Sequence, residues 1–225
     1  MSKLIANTIS KTFIQKNNKQ VVLTDLSLTL EAGTMTALIG PSGIGKSTLL
    51  NILGLLDRDY QGTVMLDQIV TNELGEQALA QLRNAQIGFV LQEPLLVARM
   101  TVRKNILLPT IYGPQRSRPD LAQRVTELAA AVGITDILDK YPRQISGGQK
   151  QRVVLARALI NDPAIILADE PTGSLDEENA ASVVTLFAQL AAQGKTILTV
   201  THDRLVAEQH PHILRLTKER LIRER

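Results

Sequence analysis

The chain has 225 residues, 44% of them hydrophobic and 21% charged, and it contains no cysteine. That is enough apolar material for the core of one generous domain, and it excludes a disulfide scaffold, a thiolate metal site and a disordered chain. The net charge of +3 equals the +5 and −2 carried by residues 215–225, which leaves the remainder balanced at 20 basic against 20 acidic residues, so a basic groove for nucleic acid is not expected. The basic tail reads as a solvated strand or helix face, with contact to anionic lipid head groups as the alternative. No window approaches the ~18 apolar residues of a membrane span, and the first residues lack the apolar stretch of a signal peptide. A protein of this kind working at a membrane would need another chain to cross it.

In chain order, residues 21–23 and 26–30 read as strand, the second by its period-two alternation. A turn at Glu31-Ala32-Gly33 leads to an apolar strand over 34–39, a glycine-rich loop, and a helix from Lys46 to about Leu56. A strand is predicted over 62–66, a helix over 73–85 and a buried strand over 87–91. The character then changes. Residues 107–119 hold three of the nine prolines and read as a loop. Pro119 opens a helix with Leu121, Val125, Leu128, Ala129 and Val132 on one face, closed by Gly133. A second helix is expected over 148–161, and no strand pattern occurs between 93 and 161. Strand returns at 164–168, followed by helix at 177–192 and strand at 196–200. The fold class expected is α/β, a mostly parallel sheet covered on both faces, with the core in residues 1–91 and 162–225 and a helical lobe inserted over 92–161.

Three motifs carry chemistry. Gly40-Pro41-Ser42-Gly43-Ile44-Gly45-Lys46-Ser47 fits G-x-x-x-x-G-K-[ST]. Backbone N–H groups wrap a phosphate only where side chains do not block the approach, and the helix that follows adds its positive dipole end. Lys46 would reach the β- and γ-phosphates and the Ser47 hydroxyl would bind Mg²⁺. An apolar strand ending in Asp169-Glu170 would deliver one carboxylate to Mg²⁺ and a second, Glu170, as general base for water. In Ile145-Ser146-Gly147-Gly148-Gln149, Ser146 is a good N-cap and two glycines bare another helix N-terminus for an anion. Two cradles for one phosphate chain make sense if the second serves a nucleotide held by another copy.

With these motifs in order, plus Gln92 after Phe89-Val90-Leu91 and His202 after Thr199-Val200-Thr201, the sequence resembles the ATP-binding cassette family over essentially its full length. The resemblance implies a P-loop NTPase core with N-terminal antiparallel strands and an inserted helical signature lobe. It implies an ATPase with ATP and Mg²⁺ as cofactors, the nucleotide held by the loop from Gly40 to Thr48 and the metal by Ser47, Asp169 and Gln92. It implies that Ser146, Gly147, Gly148 and Gln149 close over the nucleotide of a second copy, that Gln92 senses the metal or the attacking water, and that His202 holds the γ-phosphate. Ser174-Leu175-Asp176 would cross-talk between the two sites. Phe13 matches the aromatic that stacks on adenine, a reading preferred to that of a core phenylalanine on an N-terminal strand. His210 and His212 match no motif and are expected at the surface.

The stretches Leu49-Leu50-Asn51-Ile52-Leu53-Gly54-Leu55-Leu56-Asp57 and Leu82-Arg83-Asn84 resemble the lipoprotein-release, macrolide-efflux and antimicrobial-peptide export branch. The implied partners are a second copy and a membrane-spanning permease docked near residues 92–100, with no nucleic acid, at the cytoplasmic face of the membrane as a peripheral subunit. A cassette that signals through its membrane partner to another enzyme, without transport, is the alternative. A nucleic-acid machine of the same family would carry a coiled-coil or zinc insertion or a second cassette, and none is present.

Overall fold

Two sheets share this computed structural model, which describes residues 3–15, 18–113, 117–173, 175–218 and 220–225. The long strands β1 (Leu4–Gln15) and β2 (Asn18–Leu30) form an antiparallel pair, and β4 (Gln61–Leu66) and β5 (Ile69–Val70) extend it in the order β2-β1-β4-β5. The second sheet is built from β3 (Met35–Ile39), β6 (Ile87–Val90), β7 (Ile165–Asp169), β8 (Thr196–Val200), β9 (His212–Leu216) and β10 (Leu221–Arg223). Its order is β10-β9-β3-β8-β7-β6, parallel throughout except for the antiparallel edge strand β10.

The strand that ends in Asp169 shows why this sheet must be covered on both faces. Its alternate residues belong to different cores: Ile165 and Leu167 pack with Leu49, Leu50 and the antiparallel sheet, whereas Ile166 and Ala168 pack with Val153, Val154 and Phe187. The first face is filled by α1 (Lys46–Leu53) and lies beside α2 (Glu76–Gln86). The second is filled by α3 (Val102–Leu107), α4 (Arg118–Ala131), α5 (Gly147–Leu159) and α6 (Glu177–Ala192). Among the described residues no strand lies between β6 and β7.

Where element boundaries differ from expectation, the cause is local. Helix α1 stops at Leu53 rather than running to Leu56, because Leu55 adopts φ 59° and the N–H groups of Leu56 and Asp57 both turn back to the Asn51 carbonyl. Gly54 sits at this turn because a side chain there would begin 1.7 Å from the Phe89 ring. Part of the 107–119 stretch, expected as a loop, is a short 3-10 turn at Leu108–Ile111 continuing α3. Residues 114–116 lie outside the described ones. The short helix α7 (Arg204–Glu208) has no counterpart among the expected elements, and it is started by the Asp203 carboxylate accepting from Leu205 N. Of the basic tail, Arg215 and Leu216 end β9 and Leu221–Arg223 form β10, with Glu224 pairing with Arg215.

His210 corrects the expectation of a surface histidine. It is fully buried, with Nδ1 2.9 Å from the Val206 carbonyl. Helix α7 packs this segment against the sheet, and the Arg225 guanidinium closes over it by donating to the carbonyls of Glu208 and His210.

Candidate active site

Because β3, β8, β7 and β6 run parallel, their C-terminal ends open onto one edge of the sheet, where α/β proteins collect ligand-binding residues. Leu38 is level with Val200, and Asp169 is level with Val200. The loop of residues 40–45 therefore leaves β3 beside the carboxylates that leave β7 and the Thr201-His202 pair that leaves β8. Gln92, exposed, follows two residues beyond β6.

The loop is shaped by its glycines. Gly45 adopts φ 109°, and a Cβ on it would meet Val22 Cγ1 at 2.8 Å. No side chain caps the α1 N-terminus, in contrast to α3, α4, α5, α6 and α7, so the first-turn N–H groups remain available to an anion. Lys46 Nζ curls over the loop, donating to the carbonyls of Gly40 at 2.7 Å and Pro41 at 3.0 Å. A cleft of about 280 Å³ runs from Gly43, Lys46, Ser47 and Thr48 to Phe13 and Gln20. Phe13 is thus brought to the far end of the phosphate loop's own cleft rather than into the core, and it is 41% exposed.

The two carboxylates differ in their surroundings. Burial pushes the Asp169 carboxyl above the usual range, with the neighbouring Glu170 charge adding to the rise, while the Ser47 hydroxyl bonded to it and the Lys46 charge act against it. A partly buried carboxylate bonded to a serine hydroxyl and short of positive charge fits Mg²⁺, which takes one or two protein oxygens and completes its shell with phosphates and water. Glu170 stands at φ 47°, an unusual backbone for a residue with a side chain. Its Oε1 accepts from His202 N at 2.9 Å and lies 2.7 Å from His202 Nδ1, and its Oε2 accepts from the Thr201 hydroxyl at 3.2 Å. The carboxylate is nearly buried, whereas the His202 ring is 70% exposed.

The signature residues stand apart. Ser146 caps α5 through a reciprocal pair: its Oγ accepts from Gln149 N at 3.2 Å, and its own N–H donates to Gln149 Oε1 at 2.9 Å. Apart from its chain neighbours and its own helix, nothing lies within 4 Å of a Cβ placed on Gly147, so this side of the helix end is open. Residues 146–149 do not line the cleft above Lys46. Asp176 caps α6 through the Asn179 N–H and side chain, bonds that hold its carboxyl below the usual range. Ser174 lies outside the described residues.

The chain matches the family model described as ABC transporter over residues 23–173. The chain belongs to the ABC transporter family. It is 45% identical over 206 residues to the uncharacterized ABC transporter ATP-binding protein YvrO of Bacillus subtilis, covering 92% of this chain and 90% of YvrO. It is 40% identical over 215 residues to the macrolide export ATP-binding/permease protein MacB of Salmonella typhi, covering 95% of this chain but only 33% of MacB. The chain therefore spans about a third of MacB's length. Among solved structures it matches the dimeric post-hydrolysis state of the ATP-binding cassette MJ0796 bound to ADP and Pi, with TM-score 0.92, 35% identity and 99% of each chain covered. This cassette binds ATP with Mg²⁺ and hydrolyses it.

Two features of the ABC site are not assigned by the sequence motifs. Thr201, fully buried, braces Glu170, and Lys11 lies against Phe13. The first is legible as the residue before His202, and the second as a same-face neighbour two positions from Phe13 on a strand.

Proposed function

We propose that this cassette drives a separate membrane permease, two copies sharing two nucleotides between them. The observation that carries the catalytic reading is the convergence of Lys46, Asp169, Glu170 and His202 at one edge of the parallel sheet. In this reading the N–H groups from Gly40 through Pro41, Ser42, Gly43, Ile44 and Gly45 to Thr48 wrap the phosphates, and Lys46 holds them by charge. Ser47, Asp169 and Gln92 hold Mg²⁺, which when bound neutralises charge on the transferred phosphoryl group. Glu170 takes the proton of the attacking water. His202 leaves Glu170 for the γ-phosphate, which frees the carboxylate at the moment it is needed as a base.

The open α5 N-terminus supports the pairing of copies: Ser146, Gly147, Gly148 and Gln149 do not line the chain's own cleft, and in this reading they close on the nucleotide of the other copy. Asp176 then lies near the seam, and the helical segment 92–161 acts as the moving signature lobe on the core. Among the described residues no helix is long and apolar enough to cross a membrane. In this reading the membrane spans belong to the permease. Exposed Leu95 and Val97 support docking through residues 92–100, and the cassette works as a peripheral subunit at the cytoplasmic face. The similarity to MacB supports export as the direction.

The decisive experiment is Glu170→Gln. Hydrolysis is expected to fall by about 10²–10⁴-fold, the usual share of a general base. Mg-ATP binding is retained, and the variant accumulates as an ATP-dependent dimer on size-exclusion chromatography. Wild-type turnover would move the base elsewhere; an inactive variant that stays monomeric in saturating ATP would separate hydrolysis from pairing.

A further inference from the structure

Helix α1 has a task at each end. Its first turn carries the phosphate loop. Beyond its last turn, in the bend that Gly54 permits, stand Asp57 and Asp59, and between them lies a buried lysine from β1. The Lys11 side chain is 3% exposed, with Nζ 2.9 Å from Asp57 Oδ2 and 3.2 Å from Asp59 Oδ2. It also donates to the Asp59 carbonyl. The same ammonium stands 4.9 Å from the centroid of the Phe13 ring. One side of that ring is therefore backed by a fixed positive charge, and its exposed remainder lines the cleft that begins at Lys46 and Ser47.

Only the lysine is fully enclosed, since the Asp57 side chain is 24% exposed and that of Asp59 95%, and a buried cation held beside a ligand cleft invites a use. Burial opposes the charge on Lys11, but the hydrogen bonds it donates to Asp57 and Asp59, together with their negative charges, outweigh burial and raise the pKa, so Lys11 stays an ammonium. An ammonium over an aromatic face is attracted by the ring's π density, which both fixes the ring and draws density from its other face. A less negative face repels a stacked, electron-rich purine less.

We propose that Lys11, held by Asp57 and Asp59, is a positioning residue that fixes and polarises Phe13 as the platform for the adenine base. This rests on the reading of Phe13 as that platform. It also gives a use to Asp57, which closes the stretch from Leu49 to Asp57 singled out in the sequence. A single helix then ties the phosphate end of the nucleotide site to the base end.

The test is calorimetric binding of Mg-ATP and of Mg-tripolyphosphate, which carries the phosphates without the base, to the full chain. Phe13→Ala is expected to weaken ATP about tenfold and leave tripolyphosphate unchanged, since stacking on one base is worth that much. Lys11→Met should weaken ATP about three- to fivefold, leave tripolyphosphate unchanged, and add nothing in the Phe13→Ala background. Lys11→Arg restores ATP binding. In steady-state assays Lys11→Met raises KM for ATP with kcat intact. Because Lys11→Met strands two carboxylates, the triple variant Lys11→Met/Asp57→Asn/Asp59→Asn is measured beside it and should behave alike. If ATP and tripolyphosphate weaken together in both, Lys11 only supports the loop and the proposal is overturned. If Phe13→Ala weakens ATP and Lys11→Met does not, the platform stands and Lys11 has no part in it. If Phe13→Ala leaves ATP binding intact, the platform reading itself falls, and the proposal with it.

Discussion

Asp169 shows how burial can make a single charged residue costly. Its carboxyl is pushed up mainly by burial, so at neutral pH the nucleotide-free cassette holds a charge its surroundings disfavour. Asp169→Asn removes that charge and can still accept from Ser47. The variant is expected to melt about 2–4 °C higher than wild type without nucleotide, corresponding to roughly 1 kcal/mol in a chain of this size. It should then lose most of the extra stabilisation that Mg-ATP confers on wild type. Thermal melts with and without Mg-ATP read both effects, and a variant that melts lower but still gains the full Mg-ATP shift contradicts the assignment. His210 is the opposite case. Burial is the main cause holding its pKa below the ordinary 6.5, with the Arg225 charge acting in the same direction, while the Val206 carbonyl acts against them. The unfolded chain therefore takes up a proton that the folded chain refuses. The stability involved is fully present above pH 6.5 and is lost as pH falls toward the folded value. Urea titrations at pH 5.5 and 7.5 should show wild type weaker at the lower pH, with a smaller difference between the two for His210→Gln. An equal difference in both would assign the pH dependence to other groups.

At the scale of one element, the N-terminus of α5 is a capped helix end to which the proposed function adds a phosphate contact. Ser146 stabilises the helix through its cap, so Ser146→Ala should cost about 1 kcal/mol in denaturant melts. Ser146→Asp keeps an acceptor at the cap and favours the positive helix end, but it sets a negative charge where a phosphate would dock. The aspartate variant is therefore expected to be as stable as wild type, to bind Mg-ATP as a monomer with unchanged affinity, and to lose at least about 10²-fold in hydrolysis. Full hydrolysis by Ser146→Asp would leave the α5 terminus with its cap alone. Comparing the two variants separates folding from phosphate recognition, which a single alanine substitution would confuse.

For the whole molecule, the proposal that each nucleotide is shared predicts complementation. Lys46→Ala lacks a sound phosphate loop and Ser146→Arg lacks a sound signature end. Each alone should hydrolyse at about 1% of wild type or less, given the charge-assisted contacts removed. In a mixed pair, one of the two sites combines the intact loop of one copy with the intact signature of the other. If a single intact site suffices for turnover, the mixture recovers up to about a quarter of wild-type activity, half the pairs being mixed with one working site of two. Recovery in the mixture, absent from either variant alone, marks the shared site; strong activity of Ser146→Arg by itself excludes it.

Much of the site is legible in the amino-acid sequence, and the division has a physical cause. The phosphate loop, the Asp169-Glu170 pair and the Ser146 cap are local: glycines that free N–H groups, an apolar strand ending in carboxylates and a capping box each write their geometry within a few residues. The helix of residues 177–192 has the bounds expected of it for the same reason, since Asp176, Glu177 and Glu178 mark its start. Other features depend on residues far apart in the chain. The turn after Leu53 follows from Phe89 pressing on Gly54, the burial of His210 from Arg225 closing over it, and the brace on Glu170 from Thr201 and His202 one strand away. The charge behind Phe13 needs β1 to bring Lys11 against Asp57, 46 residues distant. By itself the sequence determined which groups are candidates for chemistry. Strand order and packing decided which of them meet, because contacts between distant residues exist only once the sheet has placed their strands side by side.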